Sequence, residues 1–170
     1  MGAVSAFIAV KATDNVWAGV AAAILVGGLL ALIHAFLTIT MRTNQVVTGL
    51  ALTIFGAGLA SFLGRSYVGQ IGPKFENLAL PVLGDIPLMG EALFRHDLLI
   101  YALYLLVPLA WLFLYKTRPG LHLRAVGENP QAADALGVNV TGLRYLYTIL
   151  GGMLVGLGGA HLSLAYTPGW

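Results

Sequence analysis

The chain has 170 residues, 58% of them apolar and only 9% charged, with a positive mean hydropathy. A water-soluble domain carries about 25% charged residues, so this composition argues against a soluble domain and for an integral membrane protein. A formal net charge of +2 gives no ground for a nucleic-acid partner, and the absence of cysteine leaves no disulfide framework, thiolate nucleophile or cysteine-held metal in this stretch.

Met1 to Val10 is apolar with no basic residue ahead of it. It lacks the charged front and cleavage site of a secretory signal and reads as the tail of a membrane helix whose beginning is missing. Val16 to Ile39 carries no charged side chain, with His34 near one end. A membrane helix needs about 20 such residues, so residues 16–39 are a predicted span. Ala23, Gly27, Ala31 and Ala35 recur every fourth residue on one helix face, where small side chains let another helix approach closely.

Thr40 to Gln45 is a short polar break, and residues 46–63 form the next predicted span, with a Gly56–Ala60–Gly64 stripe. So short a break allows a re-entrant or broken-helix arrangement, which is tolerated at membrane depth only where it is buried or lines a cavity. Broken helices with polar residues form solute sites in several transporters. Asn44, Gln45 and Thr48 are therefore candidate solute-path residues. The alternative is an interfacial turn in which Asn44 caps the following helix.

Residues 65–97 hold Pro73, Pro81 and Pro87, several glycines and both charge signs. They read as an extramembrane loop with a short interfacial helix around 90–95. Residues 98–115 are the third span, with Tyr101, Tyr104, Trp111 and Tyr115 towards its ends, where aromatics favour the interface. Pro108 is expected to kink it. Residues 145–166 are the fourth, with Gly152, Gly156 and Ala160 again four apart. The Gly-rich string there lies in a membrane-length apolar segment, so it is no dinucleotide fingerprint.

Between the last two spans lies a polar passage, residues 116–144. Arg118-Pro-Gly120 is read as a turn, with His122 and Arg124 on an approach segment. Asn129 is a favoured helix N-cap, Pro130 suits the first helical position, and Gly137 is placed to end the helix in a left-handed conformation. The helix has about two turns, too few for stability alone. Ala132, Ala133, Ala135 and Leu136 offer a small apolar surface for a partner's groove; the alternative is a capped helix lying on its own membrane domain.

The string from Arg124 to Val140, RAVGENPQAADALGVNV, resembles the cytoplasmic coupling loop of permease subunits of ATP-binding-cassette importers, of the ribose and branched-chain amino-acid permease type. The simple-sugar and nucleoside permeases are the nearest branch. NQVVTGLALTIFGAGLASFLGRSYVGQ and LGGMLVGLGGAHLSLAYTPGW are similar to other parts of the same branch. The resemblance implies an all-α, polytopic transmembrane helix bundle: about four long spans, a truncated first helix and a short cytoplasmic coupling helix. It also implies a multi-pass protein of a bacterial-type plasma (inner) membrane, working with a cytoplasmic ATP-binding subunit, a second permease subunit and an extracytoplasmic solute-binding protein. In that setting Gly127, Glu128, Asn129, Pro130, Ala132, Ala133, Leu136 and Gly137 are the expected ATPase-coupling residues. No catalytic residue, metal ligand or cofactor is expected here, since ATP hydrolysis belongs to another chain and this one has no phosphate-binding GxxxxGK[ST].

With residues 116–144 inside, five basic residues are cytoplasmic (Arg42, Lys116, Arg118, Arg124, Arg144) and four are outside (Lys11, Arg65, Lys74, Arg95), a lean in the direction of the positive-inside rule. Loop 65–97 and the end at Trp170 then face outward. Two other classes compete. A self-contained channel or facilitator would use Asn129-Pro130 as a pore element, but Gln131 follows where alanine is wanted and there is one copy. A membrane enzyme would need ionisable groups within the spans; only His34 and His161 qualify, and neither has an acidic partner at helical spacing.

Overall fold

A computed structural model of the chain describes residues 1–70, 72, 78–79 and 95–166, with residues 78–79 and 95–96 described by backbone alone. Among them are seven α-helices: α1 (Gly2–Thr13), α2 (Val16–Ala35), α3 (Gln45–Gly64), α4 (Leu98–Lys116), α5 (Arg118–Glu128), α6 (Pro130–Ala135) and α7 (Val140–His161). Two two-residue strands, β1 (Leu78–Ala79) and β2 (Arg95–His96), pair antiparallel. The fold is all-α, as expected. Two compact units divide it: Met1–Lys74 with Thr141–Trp170, and Phe75–Val140.

In the first unit α1 and α2 form a hairpin. Asp14 takes the left-handed conformation (φ 55°), and the Asn15 side chain accepts from the Trp17 N–H to start α2. A short polar side chain tolerates that conformation better than most. Helix α2 then meets α7 backbone to backbone. A Cβ added at Gly27 would overlap the Gly152 carbonyl, one at Gly152 the Ala31 methyl, and one at Gly156 the Ala23 carbonyl. Rising numbers on one helix pair with falling numbers on the other, so the two run antiparallel. The two predicted small-residue stripes thus face one another. Gly2 and Ala3 of α1 close on Gly156 and Gly159 in the same way, and Ser163 Oγ donates to the Ala3 carbonyl at 3.0 Å. The stripe on α3 has Ala60 and Gly64 buried.

What is inside and outside identifies the solvent. Many of the buried side chains are small, such as Ala23, Ala35, Ala60 and Ala160, while Leu25, Leu29, Val46, Leu50, Ile54, Phe62 and Val155 are exposed. In the second unit, α4 buries none of its residues although Leu103, Leu105, Val107 and Leu109 are on it. Water would favour the reverse. In lipid there is no drive to hide leucine, and small residues at helix interfaces maximise close packing. Among the described residues, four segments are long and apolar enough to cross a membrane: Val16–Thr40, Gln45–Tyr67, Leu98–Lys116 and Val140–Tyr166.

Several expectations are refined. Both α2 and α7 continue into a π-helical turn, Phe36–Thr40 and Leu162–Tyr166, which periodicity did not signal. Helix α3 extends by a short 3₁₀ turn, Arg65–Tyr67, so this span is longer than the predicted 46–63. Helix α4 is continuous through Pro108, with the buried Asp97 accepting from the Leu99 and Ile100 N–H groups as its cap. Helix α7 begins at Val140, five residues ahead of the predicted start. Residues 118–128 are helical, correcting the reading of a turn and an approach segment. The interfacial helix expected around 90–95 lies largely outside the described residues; Arg95 itself is in β2.

Candidate functional site

The coupling passage is built as two short helices. Thr117 caps α5: its hydroxyl accepts from the Gly120 N–H at 3.2 Å and donates to the Phe113 carbonyl at 2.6 Å. Pro119 stands in the first turn, where its missing N–H costs nothing. Gly120 is present because the chain folds straight back on α4. A Cβ there would overlap the Phe113 carbonyl and lie 2.7 Å from the Leu114 carbonyl oxygen. Gly120 and Val126 are buried, whereas Leu121, His122 and Arg124 are exposed. The Arg124 guanidinium lies 5.0 Å from the Tyr115 ring and the Lys116 ammonium 6.0 Å from the Trp111 ring, so cations and aromatics gather at this end of α4.

Asn129 joins the two helices. Its N–H closes α5 on the Ala125 carbonyl at 2.9 Å, and its side chain accepts from the Ala132 N–H at 3.0 Å to open α6. Pro130 occupies the first helical position. At the other end Gly137 is left-handed (φ 81°), and the Val138 N–H returns to the Ala133 carbonyl at 3.1 Å, a Schellman-type closure. A six-residue helix has no stability of its own; here both ends are tied, and α6 packs on α5. Ala133 is the residue that packs inward, only 3% exposed, while Leu136 stands 85% exposed. Gly127, Glu128, Asn129, Ala132 and Gly137 are exposed and Pro130 is half-buried. Of the predicted coupling residues, all but Ala133 and Pro130 are therefore openly presented, with Leu136 as the apolar point.

The other candidate cluster is the turn after α2. The Met41 N–H reaches back to the Phe36 carbonyl, closing the π turn, and Arg42 is left-handed (φ 53°). Both the N–H and the hydroxyl of Thr43 bond the Leu37 carbonyl. The Asn44 side chain accepts from the Val46 and Val47 N–H groups, which is the capping role weighed against a solute role. Thr48 is buried; its hydroxyl donates to the Asn44 carbonyl at 2.6 Å and lies 3.2 Å from the Thr43 hydroxyl. Gln45 is exposed. The turn thus brings Asn44 and Thr48 together through main-chain and hydroxyl bonds, with Gln45 beside them.

Sequence reasoning passed over Thr40 and Tyr145, whose hydroxyls bond one another across 105 residues of chain. Nothing local signals such a pair. Their bond puts the turn 41–44 and the start of α7 at the same end of the first unit.

The chain thus places a short capped helix between two membrane-length helices, in an all-α fold with small residues inside. The whole chain, residues 1–170, matches the family described as "Branched-chain amino acid transport system / permease component". The chain belongs to this permease family. Together with the four apolar helices of spanning length among the described residues, this makes it a multi-pass membrane protein. It is 42% identical over 174 residues to a protein of Haloferax volcanii provisionally named a glucose ABC transporter permease, covering 100% of this chain and 53% of that one. A guanosine ABC transporter permease of Bacillus subtilis is 37% identical, covering 84% of this chain and 47% of its own length. A nucleoside ABC transporter permease of Lactococcus lactis is 38% identical, with 88% and 49% covered. The chain spans about half the length of the curated relatives it matches. No solved structure matches it.

Proposed function

We propose that this chain is part of the membrane permease of an ATP-driven importer for nucleosides or simple sugars, and that α6 is the point at which a separate cytoplasmic ATPase acts on it. The observation that carries this reading is α6 itself: a helix closed at both ends, held on α5, with Leu136 projecting, and joined through four residues to the membrane-length helix α7. The solute class rests on the names of the relatives. A second permease subunit completes the pore, and an extracytoplasmic binding protein delivers solute. The bacterial-type plasma membrane is the site of assembly, with residues 116–144 cytoplasmic and 65–97 outside.

Mechanically, a closed stub transmits displacement where a loose loop would absorb it. ATP-driven closure of the ATPase must favour one arrangement of the helices over another, and only interactions that differ between the two can do so. A push on α6 passes by Val138 and Asn139 into α7. Gln45, exposed next to the turn that α7 touches, is the residue that meets solute in this reading, while Asn44 and the buried Thr48 hold the turn and the end of α3.

The test uses the full-length protein, produced with its ATPase. Leu136→Asp places a charge where an apolar side chain would be covered. ATPase co-purification is expected to fall tenfold or more, with insertion into the membrane unchanged. Wild-type assembly and wild-type solute-stimulated hydrolysis in this variant would remove the docking role.

A further inference from the structure

We infer that Tyr145 and Thr40 are positioning residues for transport: their hydroxyl–hydroxyl bond transmits movement of α6 to the turn that carries Gln45 and Thr48. The inference rests on the coupling role proposed for α6 and extends it to a route. Tyr145 lies five residues into α7, about 7.5 Å along the axis from Val140, so it is close to where force enters that helix. It is half-buried, whereas Thr40, the last residue of the π turn, is exposed, so the bond lies at the protein surface.

Three features give this surface bond a mechanical consequence. The first is that the turn beyond Thr40 is internally bonded. Thr43 is tied to the Leu37 carbonyl, Thr43 to Thr48, and Asn44 to the start of α3. Moving Thr40 therefore moves Gln45 and Thr48 with it. The second is the position of the backbone seam between α2 and α7. Gly27 against Gly152 and Ala23 against Gly156 bring the two backbones to closest approach, so that seam is the natural fulcrum for α7, and displacement in a tilt about it is largest at the helix ends. The third is the π turn. It is a wider, less regular coil than the α-helix before it, and such turns recur at functional positions. It supplies the compliant joint between the fixed seam and the stiff polar turn.

The experiment compares Tyr145→Phe, Thr40→Val, the double variant and Thr40→Ser in the full-length importer, reconstituted with its ATPase and binding protein in vesicles. Uptake of tritiated guanosine and of labelled glucose is measured per ATP hydrolysed. That ratio does not change with the amount of folded protein, so a merely structural role would leave it unmoved. Tyr145→Phe and Thr40→Val are each expected to lower it about threefold to tenfold, the range for loss of one hydrogen bond. The double variant is expected to be no worse than either alone, and Thr40→Ser, which keeps a hydroxyl, to restore the ratio. An unchanged ratio in Tyr145→Phe, or losses that multiply in the double variant, would overturn the linkage while leaving the α6 reading intact. A wild-type complex without ATP-driven uptake would overturn both.

Discussion

Helix α7 allows the same substitution to be made on two of its faces with opposite expected sign. At Gly156, alanine places a Cβ into the Ala23 carbonyl and 3.3 Å from the Gly27 Cα. Ordinary contact begins near 3.4 Å, and backbone at both contacts cannot rotate away, so α2 and α7 must part by about 1 Å. Overpacking of this kind costs about 1–3 kcal/mol, since a gap of that width forfeits a quarter to a half of each dispersion contact along the seam. At Gly151 and Gly158 an added Cβ meets nothing within 4 Å. There alanine keeps only its helix-propensity advantage over glycine, about 1 kcal/mol. The assay is thermal unfolding of the full-length protein in detergent, followed by loss of monodisperse fluorescence-tagged material. Gly156→Ala is expected to lower the midpoint, and Gly151→Ala and Gly158→Ala to leave it unchanged or raise it. Equal effects at all three positions would refute the backbone seam.

Other predictions follow from the caps and the turn. Asn129→Ala removes the cap of α6 and should cost about 1 kcal/mol of local stability; faster hydrogen exchange at the Ala132 amide and weaker solute stimulation of the ATPase are the readouts. Gly137→Ala puts a Cβ on a left-handed residue and is expected to cost about 1–2 kcal/mol, visible as increased proteolysis between α6 and α7. Asn44→Ser preserves a capping oxygen and should leave uptake near wild type, whereas Gln45→Ala should change the apparent affinity for the imported solute without altering ATPase assembly; a large uptake defect in Asn44→Ser would restore Asn44 to the solute path. Thr48→Val should weaken the turn and lower uptake at unchanged expression, and normal uptake would separate Thr48 from transport.

The parts of the structure legible in the sequence are those governed by a single local rule. Uninterrupted apolar runs mark α2, α3, α4 and α7, because lipid leaves backbone groups no partner except within the helix. Four-residue spacing of Ala23, Gly27 and Ala31, and of Gly152 and Gly156, marked the faces that meet. Asn129, Pro130 and Gly137 carried the start and stop of α6. What failed to show was set by contacts distant in sequence or by ambiguous residues. Pro119-Gly120 reads as a turn, yet Pro119 stands in the first turn of α5 and Gly120 serves a close approach to α4. The inward packing of Ala133 depends on how α6 rests on α5, which composition does not encode. Thr40 and Tyr145 are unremarkable until two antiparallel helices bring them together.

In the proposed mechanism α6 presents Leu136 to a cytoplasmic ATPase. This stretch contains no cysteine, so a single one can be placed at Leu136 and, with any cysteines elsewhere in the full-length protein replaced, labelled with a membrane-impermeant maleimide. Labelling is expected only from the cytoplasmic side of the membrane, and assembly with the ATPase is expected to protect the thiol. Labelling from the outside, or labelling at the same rate with and without the ATPase, would contradict the account.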